Sequence, residues 1–301
     1  MTAKIIDGKT TAAKIREELA QRIASDDGED MPVLAVVLVG ENEASRIYVR
    51  NKKKAAAEVG IGCEIMEFSD TIGEHALLEV IGELNENPHV NGIIVQLPLP
   101  EHINPLHILS KIRPEKDVDG FNPYNAGLLA CREPEAIVSA TPRGILKLLE
   151  STGIELAGKH AVVIGRSNIV GRPVSMLLLN HDCTVSITHS RTENLPEIVR
   201  QGDIVVAACG CAKLVKKDWV KEGAVVIDVG INRIDGKLCG DVDFDEVCEK
   251  ASHITPVPGG VGPMTVAMLL ENTYEAYKKQ QAQGHGRNCN CGGDGCGCRH
   301  H

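Results

Sequence analysis

Aromatic side chains are nearly absent from this chain, at 3% with a single Trp. Its core must therefore be aliphatic. Positive charge is not in excess either: 32 Lys and Arg stand against 41 Asp and Glu, a net charge of -9. That balance argues against bulk attraction to nucleic acid or an anionic membrane, so any anionic ligand must be met by local basic groups. No apolar run approaches the length of a membrane span. The amino terminus, Met1 to Ile15, has neither the apolar heart of a secretory signal nor an Arg- and Ser-rich transit pattern, which leads us to expect a soluble, cytoplasmic protein. Cysteine is not lacking. Of the eleven, seven are scattered through strand-like or helical segments, which points to reduced thiols.

A chain of 301 residues with 43% hydrophobic content has room for about two domains of roughly 150 residues. From Met1 to about Ala140, short apolar runs (Val33 to Val39, Cys63 to Phe68, Gly92 to Gln96) alternate with helical segments around Thr11 to Ala24, Tyr48 and His75 to Asn85. The second block starts near Thr141 and repeats the pattern, with strands at His160 to Ile164, Thr184 to Thr188, Asp203 to Ala208 and Ala224 to Val229. Such alternation implies an α/β fold with mostly parallel sheets, whose ligands bind at the carboxyl ends of the strands.

Ser45-Arg-Ile-Tyr-Val-Arg-Asn-Lys52 follows the first apolar run and reads as helix. Tyr48 and Lys52 are four residues apart and share a face, with Ser45 one turn earlier. The stretch reads equally as a solvated basic face, given Arg50, Lys53 and Lys54. In Val95-Gln-Leu-Pro-Leu-Pro100 the prolines stop a central strand, so Gln96 sits where strand gives way to loop, with an amide to offer a ligand. Lys116-Asp-Val-Asp-Gly120 is rich in turn formers; it serves as a simple turn, or one carboxylate recognises paired nitrogen donors of a ligand.

In the second block, strand, Gly165-Arg-Ser-Asn-Ile-Val-Gly171-Arg-Pro173 and helix make an anion-binding turn. Ser167 stands where the usual dinucleotide fingerprint has a second glycine, with a hydroxyl to donate. The next strand ends in His189-Ser190-Arg191, without the acidic residue that holds a ribose hydroxyl in NAD-binding units. Ser190, Arg191 and Arg166 instead favour a 2'-phosphate, hence NADP. Cys209 and Cys211 have no nearby partner ligands and read as packing residues. Pro256-Val-Pro-Gly-Gly260-Val-Gly-Pro263-Met-Thr265 precedes a last helix to about Gln280 and presents amides to a ligand or simply starts the helix.

Gly284 to His301 has almost no apolar content and reads as a disordered tail. It carries Cys289, Cys291, Cys296 and Cys298 with His285, His300 and His301, a set suited to a soft metal, although its spacing is Cys-x-Cys. No metal site is expected in the core.

Taken together in this order, Tyr48-to-Lys52, Val95-to-Pro100, Lys116-to-Gly120, Gly165-to-Pro173 and Pro258-to-Thr265 resemble the bifunctional methylenetetrahydrofolate dehydrogenase/methenyltetrahydrofolate cyclohydrolase family, over about Ile5 to Gln280. The resemblance implies an α/β protein with a folate-binding catalytic domain at 1–140, a Rossmann-type NADP domain at 141–269 and an active-site cleft between them. It also implies a helix at 270–283 returning to the first domain, and a homodimer. It makes Lys52 the catalytic base, assisted by Tyr48 and Gln96, and has Asp119 bind the pterin. Ser45, Leu97, Pro98, Pro258 and Gly259 join the folate site. Gly165, Arg166, Ser167, Ile169, Val170, Gly171, Ser190, Arg191, Ile231 and Thr265 hold NADP. Cys211-Ala212 departs from the basic residue and proline common in the family.

The chemistry fits these residues. Hydride removal from the methylene bridge needs orientation more than an acid, and leaves a methenyl cation that water must attack with loss of a proton. A protonated lysine beside that cation would be repelled, so Lys52 must act as the neutral amine. A short-chain-type dehydrogenase also uses Tyr-x-x-x-Lys with NADP, but there the pair follows the glycine turn. A non-catalytic nucleotide- or metal-binding protein, with the tail as its active part, is a further alternative.

Overall fold

The computed structural model describes residues 2–26 and 30–287. The chain opens with a two-residue strand, β1 (Lys4–Ile5), and helix α1 (Gly8–Ala24), whose first turn is capped by the Asp7 carboxylate accepting from Thr10 N at 3.0 Å. β2 (Val33–Val39), α2 (Glu43–Val59), β3 (Gly62–Phe68), α3 (Glu74–Glu86) and β4 (Gly92–Val95) follow. β3, β2 and β4 form one parallel sheet with β2 at its centre. β2 and β4 are continuous Val, Ile, Leu and Ala runs because both faces of the sheet are covered. α2 is bounded by local chemistry: Asn42 caps it through Ser45 N at 3.0 Å, and Gly60 ends it in the left-handed region at φ +85°. Two short helices, α4 (Pro105–Lys111) and α5 (Pro123–Ala130), close this half; each starts at a proline behind an Asn cap.

α6 (Ala140–Ser151) leads into β5 (His160–Ile164), α7 (Gly171–Asn180), β6 (Thr184–Thr188), α8 (Leu195–Val199), β7 (Ile204–Ala207) and β8 (Val225–Asp228). A hairpin, β9 (Asn232–Ile234) and β10 (Lys237–Cys239), the short α9 (Phe244–Val247), β11 (His253–Ile254) and the long α10 (Val261–Arg287) complete the chain. The second sheet runs β1-β11-β8-β7-β5-β6, with every pair parallel. β1 therefore belongs to the second sheet, although its residues lie in the block that the sequence assigns to the first domain. Backbone bonds from Lys4 N to Ser252 O (2.8 Å) and from Ile6 N to Ile254 O (2.8 Å) fix it there. Two residues are too few to carry a periodic signal.

The last helix is longer than expected, starting at Val261 and continuing as backbone through Arg287, into the stretch read as tail. Its first half packs on α6. There the Arg143 guanidinium meets Glu275 at 2.6 Å and Glu271 at 3.1 Å. Its second half reaches the first domain: Gln280 Nε2 donates to Asn91 O (2.9 Å) and Glu115 O (3.0 Å). Between the two halves, the buried Asn272 amide donates to Val118 O (2.8 Å) and Val138 O (2.9 Å). Substituting Asn272→Leu strands both carbonyls, and the expected cost is about 3 kcal/mol. Chemical denaturation checks it; a change below about 0.5 kcal/mol would show that the pairing carries little of the inter-domain contact.

Candidate active site

α2 brings the first group of candidates to the carboxyl edge of the smaller sheet. Lys52 is 6% exposed, and its ammonium donates to Gln96 Oε1 at 3.1 Å. Gln96 sits one residue past β4, its backbone N–H still bonded to Val37 O at 2.9 Å, and its side-chain amide donates to Leu97 O at 2.8 Å. The glutamine is thus fixed at both ends and aims its carbonyl at the lysine. Ser45 is buried one turn earlier on α2, and the Lys52 ammonium lies 6.0 Å from the centre of the Tyr48 ring. The Tyr48 ring is 36% exposed, and burial of its hydroxyl end pushes the phenol above its usual range. It therefore stays an O–H donor at neutral pH. The solvated-face alternative applies only to the other side of the helix, where Arg50, Lys53 and Lys54 are exposed.

Asp119 is half-buried in the turn before α5. Desolvation raises its carboxyl above the ordinary range, and the charge of Lys52 pulls it back. Leu97–Pro98 is a cis peptide beside Gln96. Pro258 and Gly259 come from the far sheet and approach the start of α1: Lys9 N donates to Gly259 O at 3.0 Å, and a Cβ on Gly8 would lie 1.9 Å from Gly260 O.

The second group of candidates lies in the turn after β5. Gly165 has φ +123°, and a Cβ on it would lie 2.1 Å from Ala208 O. A Cβ on Gly171 would lie 2.2 Å from Gly165 O. Both glycines are required by close backbone approach, as in a dinucleotide cradle. The Ser167 hydroxyl accepts from Val170 N (3.2 Å) and Gly171 N (3.4 Å) at the start of α7, which leaves its O–H to donate. Arg166, Ile169, Ser190 and Arg191 are exposed at the ends of the adjacent strands β5 and β6, and no carboxylate stands among them. Ile231 is 60% exposed past β8. Thr265 pairs with Thr141 at 2.9 Å, joining the starts of α10 and α6. An NADP fits this turn: the backbone has no side chain in the way, and Arg166 and Arg191 are available to a phosphate.

Several residues of the site were missed. Asp241 Oδ2 accepts from Cys209 N (2.7 Å) and Gly210 N (2.9 Å), while its Oδ1 accepts from Asn232 Nδ2 (2.9 Å). Asp228 accepts from Gly230 N, Asp241 N and Val242 N at 2.8–3.0 Å, and burial pushes its carboxyl up to about 6. The two carboxylates tie the loops after β7 and β8 to the hairpin. An Asp ending the apolar run Val225 to Ile227 is the one signal that would have drawn attention to Asp228. Burial and the Asp241 charge push the Cys209 thiol up to about 12, so it stays protonated. Among the described residues, no group of three or more His, Cys, Asp and Glu is placed to hold a metal. Cys289, Cys291, Cys296 and Cys298 lie outside the described residues.

Two α/β domains, with a buried Lys–Gln pair in one and a glycine cradle in the other, define a nucleotide-dependent enzyme. Comparison with known proteins narrows the class. Residues 6–119 match the catalytic domain of tetrahydrofolate dehydrogenase/cyclohydrolase, and residues 139–281 match the NAD(P)-binding domain of the same family. The bifunctional protein FolD of Listeria innocua is 53% identical over 279 residues, covering 92% of this chain and 98% of that protein. FolD of Streptococcus thermophilus is 53% identical over 277 residues, 91% of this chain and 97% of its own. The crystal structure of the Campylobacter jejuni bifunctional enzyme FolD superposes with a TM-score of 0.91 at 48% identity, covering 92% of this chain and 99% of that one. That of the Trypanosoma brucei enzyme, solved with NADP cofactor and inhibitor, gives 0.89 at 42% identity, with 93% and 99% covered. The chain belongs to the tetrahydrofolate dehydrogenase/cyclohydrolase family, and both activities are its own.

Gly165→Ala would push a methyl group into Ala208 O and strain the backbone at φ +123°. NADP affinity is expected to fall about a hundredfold, equivalent to about 2.7 kcal/mol. Calorimetric titration with NADP measures it; an unchanged dissociation constant would remove this turn from the cofactor site.

Proposed function

We propose a division of labour among these residues for the family's two reactions, the NADP-dependent oxidation of 5,10-methylenetetrahydrofolate to 5,10-methenyltetrahydrofolate and its hydrolysis to 10-formyltetrahydrofolate. The observation that carries it is the buried Lys52 ammonium bonded to Gln96 beside Asp119. Asp119 accepts from the paired nitrogen donors of the pterin, and Ser45, Leu97, Pro98, Pro258 and Gly259 complete the folate site. NADP, when bound, accepts the hydride. Gly165, Arg166, Ser167, Ile169, Val170, Gly171, Ser190, Arg191, Ile231 and Thr265 would hold it, with Ser190, Arg166 and Arg191 available to its 2'-phosphate.

In the second reaction water attacks the methenyl carbon. Gln96 holds the Lys52 nitrogen in place, Tyr48 donates its O–H to the amine or the water, and the neutral amine of Lys52 takes the proton that water loses. Attack forms the C–O bond; one C–N bond of the bridge then breaks as Lys52 returns its proton to the departing ring nitrogen, the C–O bond becomes the formyl carbonyl, and the remaining hydroxyl proton is released to solvent.

The folate half comprises residues 1–140 without β1, and the NADP half residues 141–269; residues 270–283 bridge them. β6 is an edge strand with Ile187 39% exposed, and Leu179 on the preceding helix is 53% exposed, which supports a homodimer through that edge. No helix among the described residues is long and apolar enough to cross a membrane, and with a net charge of -9 the protein is assigned to the cytoplasm without nucleic-acid partners. There its formyl product serves one-carbon metabolism, purine biosynthesis included. Cys289, Cys291, Cys296 and Cys298 lie past the family match, which ends at residue 281, and are assigned to a soft metal. Zinc titration of the full chain against a chain ending at Gln283 should show one extra equivalent bound and equal turnover; equal zinc content refutes the assignment.

Lys52→Met is expected to lower methenyltetrahydrofolate hydrolysis by at least about a thousandfold while leaving the fold and NADP affinity intact. Unchanged hydrolysis by the folded variant would overturn the role given to Lys52.

A further inference from the structure

The turn that carries Asp119 is organised by a carboxylate that contributes nothing to the cleft surface. Asp117 is 1% exposed. Its Oδ1 accepts from Phe121 N at 3.1 Å, and its Oδ2 accepts from Asn122 N at 2.8 Å and Asn125 Nδ2 at 2.9 Å. Its carbonyl accepts from Gly120 N at 3.1 Å, and its backbone pairs in parallel with Ile93 on β4, three residues before Gln96. One residue thus touches both the strand that delivers Gln96 and the loop that delivers Asp119. The loop is pressed from the other side by Ser139, whose hydroxyl donates to Gly120 O at 2.9 Å. A Cβ on Gly120, at φ +70°, would lie 2.5 Å from Ser139 N, so the turn has little room to rearrange around a weakened anchor.

We propose that Asp117 is a positioning residue for the folate half of the site, its carboxylate fixing the turn so that Asp119 and Gln96 meet the same substrate. The proposal deepens the reading of Asp119 as a pterin ligand and rests on it. The charged groups around Asp117 are few. Asp119 lies in its own turn and feels the charge of Lys52; Lys116, just before Asp117, is turned onto Leu84 O (3.1 Å) and Asn87 O (2.7 Å). Burial pushes the Asp117 carboxyl up to about 6, with Asp119 adding to the rise. As pH falls through that value, one oxygen gains a proton and presents an O–H to amide N–H donors, so the turn loses a bond on the acid side.

The test is steady-state kinetics of full-length Asp117→Asn, Asp119→Asn and the parent, with methylenetetrahydrofolate and NADP varied separately between about pH 5 and 8. Asp117→Asn turns an NH2 toward the same donors. It is expected to raise the folate KM about tenfold at pH 7.5, the equivalent of about 1.4 kcal/mol, with the NADP KM within about twofold of the parent. The parent's folate KM should climb more steeply below about pH 6 than that of Asp117→Asn, in which only Asp119 still titrates on the acid side. An unchanged folate KM, an equal rise in both KM values, or an equally steep climb in the variant would overturn the proposal. An unchanged folate KM in Asp119→Asn would instead refute the Asp119 assignment itself. Should Asp117→Asn not fold, Asn125→Ala removes one donor and is expected to raise the folate KM about threefold; no change there overturns the proposal as well.

Discussion

The packing of α6 against the first half of α10 sets the distance between the two sheets. One half carries the buried Lys52–Gln96 pair and the other the glycine cradle at Gly165. Arg143, held by two glutamates of α10, and Asn272, which reaches carbonyls on both sides of the first domain's exit, make that pair a spacer of fixed length. Apolar contact supplies the energy here, since Leu148, Leu149, Met264 and Met268 are fully buried at or beside the seam. The polar contacts supply the register.

A second regularity is that buried carboxylates act as fasteners for loops. Asp117, Asp228 and Asp241 each accept two or three backbone or side-chain N–H bonds and none is more than 3% exposed. The loops concerned are the ones at the carboxyl ends of the strands, where a ligand needs a fixed surface but the backbone has no ladder partners. A carboxylate with its several lone pairs answers that need better than a neutral acceptor.

Much of this was legible in the residues. β2, β5 and β6 were read with their observed bounds because uninterrupted β-branched and apolar runs between turn formers have few other readings. α2 was legible from the polar stretch Ser45 to Lys52 after the first apolar run, and the cradle from the spacing of Gly165 and Gly171. The reading failed where structure comes from partners distant in sequence. β1 and β11 are two residues each, α4 and α5 are short and cap-driven, and the β9–β10 hairpin has Ile234 and Leu238 exposed, leaving no buried stripe to detect. Asp119 was found because the family motif contains it. Asp117, two residues away, looks the same in sequence, and only burial distinguishes the group that builds the turn from the group that meets the ligand.

The pairing of β1 with β11 bears on how the molecule comes into being. Residues 4 and 5 reach their final neighbours only after residues 253 and 254 exist. During synthesis the smaller sheet has all its strands by residue 95, whereas the larger one cannot close until nearly the whole chain has emerged. The amino terminus then acts as a latch, drawing α1 against the Gly259–Gly260 turn last of all. Contacts this far apart in the chain form slowly. A chain stalled short of β11 also lacks α10, whose buried side chains share one core with β2, so both halves of the enzyme wait on the last residues.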